Sequence, residues 1–259
     1  MSLLAIDVGN TNIVFGIFDG DALRVSWRLT TLPGRTVDEL WVLVSRLIVE
    51  RGVQPDDIDG VVLSSVVPLL TTTVSEMVKI GFNKTVLVVD ASNAGLPIRY
   101  ENPMEVGADR LVNGVAALQL YGQPPRPMVV VDFGTATTFD VISSSGEYCG
   151  GVICPGVDIS AEALFNRAAR LPMVAVRKPE ALIGRTTVSS MQSGLFYGYV
   201  AMVEGILDRL RREVQTEGEV WCVATGGLAD AVASETTRID KVCDDLTLIG
   251  LRCVWEYNC

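Results

Sequence analysis

Two short acidic turns stand out for the chemistry their residues can do. Asp7-Val8-Gly9-Asn10-Thr11-Asn12 and Asp132-Phe133-Gly134-Thr135-Ala136-Thr137 each follow an apolar run, and their aspartates lie 125 residues apart in a chain of 259. In each, the Gly two positions after the Asp lets backbone and ligand approach closely. Asn10, Thr11 and Asn12, and in the second copy Thr135, Thr137 and Thr138, add amides, hydroxyls and backbone N–H groups. Such groups cradle phosphate oxygens. One turn alone is better explained as a hairpin with side-chain caps, whereas two copies facing across a cleft point to a shared ligand. Neither 7–14 nor 132–140 contains Lys or Arg. At ~4 Å, two like charges repel by about 4 kcal/mol at an effective dielectric near ~20. Carboxylates beside phosphates therefore need cations between them. Asp7 and Asp132 are expected to hold cations directly or through water, with Mg²⁺ on the β- and γ-phosphates of a nucleoside triphosphate.

A third acidic position is Asp109, in Gly107-Ala108-Asp109-Arg110. It precedes a helical pattern, so a capping role explains it. A chemical role explains it too. The chain has no histidine, so a phosphoryl-transfer enzyme must use a group such as Asp109 to accept the proton of an attacking hydroxyl. Arg110 beside it is suited to grip a carboxylate bidentately, and a structural ion pair fits the same spacing. A fourth candidate is Thr225-Gly226-Gly227-Leu228-Ala229, read as a strand-to-helix turn whose glycines let an adenine or ribose lie on the backbone.

The elements that must position these residues come in two similar sets. Strands are expected at 3–6, 13–18 and 23–29, then a helix opened by the capping box of Thr36 and Glu39 and closed by Gly52. A buried strand at 61–65, a helix at 71–82, a buried strand at 86–89 and a helix at 111–121 follow. Gly122 to Pro127, with three prolines, reads as a linker. The pattern then restarts, with strands at 128–131, 138–143 and 147–153, helices at 160–170 and 193–213, and a buried strand at 220–224. Two lobes are expected, 1–124 and 125–259, making an α/β fold with a cleft between them. The stripe Phe196, Val200, Val203, Leu207 and Leu210 reads as core, with a share in a dimer contact as the alternative.

Composition excludes much else. The net charge of −10 disfavours a phosphate backbone as partner, so no nucleic-acid binding is expected. Absence of histidine removes Ser-His-Asp and Cys-His catalysis and His-ligated zinc. None of the four lysines follows a glycine-rich loop, so there is no P-loop. The six cysteines form no CxxC pair and read as small core residues. No membrane span is legible, and 1–6 has no basic segment of the secretory kind, so a cytoplasmic protein with reduced thiols is expected.

In order along the chain, the two Asp-x-Gly turns and the Thr225-Gly226-Gly227 segment resemble the phosphate and adenosine motifs of the acetate/sugar kinase, heat-shock ATPase and actin superfamily. Its lobes are ribonuclease-H-like, with mixed sheets flanked by helices. Gly107-Ala108-Asp109-Arg110, Gly151-Val152-Ile153-Cys154-Pro155-Gly156, Ile183-Gly184-Arg185-Thr186-Thr187 and Met191-Gln192-Ser193-Gly194 narrow the resemblance to type III pantothenate kinases. It implies ATP-dependent phosphorylation of pantothenate at its 4′-hydroxyl, the first step of coenzyme A synthesis, by a homodimer that needs a divalent metal and K⁺ or NH₄⁺. It implies that Asp7, Val8, Gly9, Asn10, Thr11, Asn12, Ile13, Val14 and Thr135 contact ATP, and that Gly226 and Gly227 lie in its adenosine motif. It makes Asp132 the monovalent-cation ligand and Asp109 the proton acceptor. Tyr100, Gly107, Ala108, Asp109 and Arg110 match pantothenate contacts, and Thr187 matches a threonine that reaches substrate from the neighbouring subunit. Arg185-Thr186 departs from the Lys-Asn often found there. Another kinase of the superfamily, acting on a sugar or short acid, and a non-enzymatic regulator are the rival readings; a substrate panel with ATP separates them.

Overall fold

Residues 3–6 are apolar without alternation because they are covered on both faces, as a central strand must be. In a computed structural model of the chain, which describes residues 1–214 and 218–259, they form β1 (Ser2–Val8). It pairs antiparallel with β2 (Asn12–Asp19) and parallel with β4 (Gly60–Ser65). With β3 (Ala22–Thr30) and β5 (Val86–Val88) the sheet order is β3-β2-β1-β4-β5. A second sheet repeats that order. Its centre is β6 (Met128–Phe133), flanked by β7 (Ala136–Ile142) and β9 (Trp221–Gly226), with β8 (Tyr148–Pro155) and β10 (Lys241–Val242) at the edges. The expected α/β fold of two mixed sheets flanked by helices is what the chain adopts.

Register makes the duplication explicit. Asp7 stands opposite Val14 across its hairpin and beside Ser64 on its parallel neighbour, and Asp132 stands opposite Thr138 and beside Thr225. The second hairpin is one residue shorter, so the offset of 125 that relates β1 to β6 becomes 124 between β2 and β7.

Helices cover the sheets as their apolar stripes dictate. Thr36 and Glu39 form the reciprocal cap of α1 (Val37–Glu50), and α2 (Pro68–Gly81) starts on a proline that needs no N–H partner. Leu40, Val44, Leu70 and Val74 pack on Leu4, Ile6, Val8 and Phe15. In the second sheet α5 (Thr187–Val214) lays Phe196, Val200, Val203 and Leu207 on Val129, Val131 and Phe139. The stripe is therefore core, which removes the dimer contact expected of it. The remaining helices are α3 (Ala108–Tyr121), α4 (Val157–Arg167), α6 (Ala229–Ala233) and α7 (Leu246–Asn258).

The chain divides into two compact units, Met1–Leu120 with Asp245–Cys259, and Tyr121–Asp244. The C-terminal stretch, expected in the second lobe, thus belongs to the first. The reason is packing: α7 lies on β1, β2 and β4, and the Trp255 ring occupies the space a Cβ of Gly60 would need, with 2.3 Å between them. Two further expectations change. The strand at 86–88 is half-buried because it lies at a sheet edge, and Thr225 and Gly226 belong to β9 rather than to a turn after it. Of the six cysteines, all free, only Cys222 is fully buried core; Cys259 is exposed and the others are half-buried. Among the described residues no helix is long and apolar enough to cross a membrane.

Candidate active site

Alternation along β1 sends Leu4, Ile6 and Val8 into the core under α1 and α2, so Asp7 falls on the opposite face at the strand's end. Ser64, fully buried on the neighbouring strand, donates its hydroxyl to Asp7 Oδ1 at 2.6 Å. A charge-assisted bond of that length fixes the carboxylate rotamer. The following turn is closed by Gly9 N–H donating to Asn12 O at 3.0 Å, and Asn10 and Thr11 are exposed at its tip. Val8 and Ile13 put their side chains into the core.

The same alternation places Asp132 opposite the face that Val129, Val131 and Phe133 bury. Its carboxylate lies over Gly226: a Cβ there would stand 2.8 Å from Asp132 Oδ1 and 2.6 Å from Phe133 O. Gly226 also has φ +91°, so both space and backbone demand glycine. Gly134 N–H donates to Ala136 O at 3.1 Å, and Thr135 is exposed. Thr137, taken from the sequence as a phosphate ligand, is instead buried and hydrogen-bonded to the Tyr199 hydroxyl. Thr138 donates to Asp140 Oδ2 at 2.9 Å, and Asp140, fully buried, also accepts from Tyr148 at 2.8 Å.

Asp109 lies in the first turn of α3, half-buried. Its Oδ1 accepts the backbone N–H of Arg110 at 2.8 Å and stands 2.5 Å from where a Cβ on Gly107 would be, so the carboxylate folds back over that glycine. Burial pushes its pKa above the usual aspartate range, against the opposing pull of the Arg110 N–H and guanidinium charge. A carboxylate so raised takes up a proton more readily than an exposed one, as a base must. Arg110 is buried, and Tyr100 is partly exposed on the loop before α3.

Thr187 opens α5, exposed, just after a cap in which Thr186 and Ser189 exchange hydrogen bonds at 3.0 and 3.1 Å. It lines a groove of about 920 Å³ with Gly184, Arg185, Ser190 and Gly194. Gln192 and Ser193 hold the preceding loop to the helix by donating to Ala175 O and Leu182 O, at 3.1 and 2.5 Å. That accounts physically for the Met191-Gln192-Ser193-Gly194 motif.

A family model described as type III pantothenate kinase matches residues 3–209. The type III pantothenate kinase of Moorella thermoacetica is 51% identical over 257 residues, covering 99% of each chain. That of Halalkalibacterium halodurans is 46% identical over the same length, again with 99% of each chain covered. This chain belongs to the type III pantothenate kinase family. Solved structures add the fold alone. A conserved protein of Campylobacter jejuni, described as a Baf family transcriptional activator, superposes with a TM-score of 0.62 at 19% identity, covering 98% of each chain. The activator of the 2-hydroxyisocaproyl-CoA dehydratase from Clostridium difficile does so with a TM-score of 0.55 at 12% identity, covering 100% of this chain and 95% of that one.

In this pantothenate-kinase family member, sequence reasoning missed Ser64, Thr31 and the steric need for Gly156. Ser64 was visible only as a hydroxyl at the end of an apolar run. The oxygen donors at Asp7 and Asp132 are carboxylates, the hard type that Mg²⁺ and K⁺ take.

Proposed function

We propose that this chain transfers the γ-phosphoryl group of ATP to the 4′-hydroxyl of pantothenate, with Asp109 as general base. Full-length likeness to type III pantothenate kinases supports the reaction. The observation that carries the residue assignment is the raised, half-buried Asp109 carboxylate seated over Gly107 in a chain without histidine. The hydroxyl oxygen of pantothenate forms a bond to the γ-phosphorus, the bond to the β,γ-bridging oxygen breaks, and the hydroxyl proton goes to Asp109. Gly107, Ala108 and Arg110 hold the substrate beside that carboxylate, with Tyr100 on the preceding loop. Arg110 offers a guanidinium fork to the substrate's carboxylate. The backbone amides of the Gly9 turn and of Thr135 take phosphate oxygens, while Gly226 makes the bend beside Asp132 and Gly227, with open space where a Cβ would stand, leaves room for the adenosine.

A divalent ion near Asp7 neutralises phosphate charge when bound, and Asp132 is the ligand of a monovalent cation, K⁺ or NH₄⁺. In the wild type K⁺ is expected to raise Tm where Na⁺ does not, by preferential binding to the folded state. Asp132→Ala should lose both that shift and the K⁺ requirement of turnover, and an unchanged K⁺ shift would end the assignment.

The enzyme is a homodimer in this reading, placed in the cytoplasm, where free cysteines persist. Gly194, Gly198, Ala201 and Gly205 form an exposed stripe on α5, opposite its buried face, and a Cβ on any of the three glycines would meet open space. Thr187 heads the same helix, so a partner packed there would receive it near its own substrate. Size-exclusion chromatography should give twice the monomer mass, and a fully active monomer refutes the dimer.

The deciding experiment is ADP release with Mg²⁺ and K⁺ against a panel of acceptors. Turnover with pantothenate alone is expected. Turnover only with a sugar or short carboxylic acid would move the chain to another kinase activity.

A further inference from the structure

The first phosphate turn is held from behind by a residue outside both Asp-x-Gly motifs. Thr31, the first residue after β3, is buried, with 8% of its surface exposed. Its hydroxyl donates to Gly9 O at 2.7 Å and its backbone N–H donates to Thr11 O at 2.9 Å. Within a trans peptide the C=O of one residue and the N–H of the next point in opposite directions. Drawing the Gly9 and Thr11 carbonyls back onto Thr31 therefore turns the N–H groups of Asn10 and Asn12 the other way. A row of amides aimed together is what makes such a turn an anion cradle.

The second half shows what the hydroxyl adds. There the residue after β8 is Gly156, and its N–H donates to Thr135 O at 3.2 Å, the counterpart of the Thr31-to-Thr11 bond. A Cβ at Gly156 would stand 2.3 Å from Thr135 O and 2.7 Å from Gly134 O, so no side chain can be placed there to hold the Gly134 carbonyl. The backbone bond is common to both halves. The side-chain bond to Gly9 has no counterpart from Gly156.

We infer that Thr31 is a positioning residue for ATP: its hydroxyl sets the orientation of the Gly9–Asn10 peptide and so the geometry in which the first turn meets phosphate. The inference rests on the first turn being a phosphate site. Thr31→Val keeps the shape and removes the donor. One hydrogen bond of this kind corresponds to about a 3- to 10-fold change in affinity. The Kd of MgATP, by titration calorimetry, and the KM for ATP should both rise by that factor, while kcat and the KM for pantothenate stay within about 2-fold. Thr31→Ser, which restores the hydroxyl, should return both to wild-type values. If Thr31→Val yields no folded protein, Thr31→Ala, which leaves no buried methyl against the carbonyl, carries the same comparison. A folded variant that binds MgATP as wild type does, or one whose only change is a lower Tm, overturns the inference, as does failure of Thr31→Ser to rescue. Failure of the wild type itself to bind MgATP overturns the phosphate reading, and the inference with it.

Discussion

The two Asp-x-Gly turns occupy the same place in sheets of the same order, yet they are built to different tolerances. Asp7 is held by a 2.6 Å bond from Ser64, and its turn is gripped by the hydroxyl and the N–H of Thr31. Asp132 instead lies close over Gly226, and its turn is pressed against Gly156, where close contact of backbone on backbone replaces a side-chain tether. The first turn is fixed by hydrogen bonds that can be removed one at a time. The second keeps the backbone bond and adds exclusion at Gly156 and Gly226, which any added atom violates. A chain can thus duplicate a topology and leave each copy to find its own way of immobilising the same peptide planes.

The largest expected effect tests whether the chemistry sits in one half alone. Asp109→Asn should lower kcat by at least ~10²-fold, the low end for a general base, with ATP affinity kept; wild-type turnover would remove its role. Next comes the steric side of the comparison. Gly156→Ala drives a methyl into the Thr135 carbonyl and should cost about 1–3 kcal/mol of stability, visible as a lower Tm, whereas an unaltered Tm would mean that the second turn has slack. On the hydrogen-bonded side, Ser64→Ala leaves Asp7 without one donor and should weaken MgATP binding by about 3- to 10-fold, measured by calorimetry. If it binds normally, the rotamer is held by something other than that bond.

The smallest effects are linked to pH. Because burial raises Asp109, it keeps its proton to a higher pH than an exposed aspartate. The acid limb of kcat/KM should therefore lie above the usual aspartate range and be absent from the residual activity of Asp109→Asn. The same raised value means that the folded state loses stability as pH climbs through the unfolded and then the folded pKa. At neutral pH Asp109→Asn should consequently melt slightly higher than wild type while turning over more slowly, and a lower Tm would show the carboxylate to be structurally favourable.

Local signals carried well where a short-range rule decides the outcome. The Thr36–Glu39 capping box, the Gly52 stop and the eight strands expected from 3 to 153 depend on neighbours a few residues apart, and each is present. The α5 stripe carried its period but not its destination. The heptad-like spacing says that a face is buried, while whether sheet or second subunit buries it depends on what else the chain brings there. At the sites, Gly107 beside Asp109 and Gly226 beside Asp132 were visible as glycines near acids, without the contact that requires them. Thr31 and Ser64 carried no signal, since one threonine after a strand looks like any other.

From the sequence alone follow the duplicated strand-turn-strand frame, the acidic character of both turns, the absence of any histidine chemistry and the family itself. These are properties of residue type and short spacing, which the linear order preserves. Tertiary structure decided the rest: that the last helix returns to the first sheet through the space left by Gly60, that Thr137 turns inward to Tyr199 while Thr135 faces out, and that Thr31 reaches back 22 residues to hold a carbonyl. Such contacts join residues far apart in the chain, and their partners are chosen by strand register and helix packing, which act only once the sheets exist.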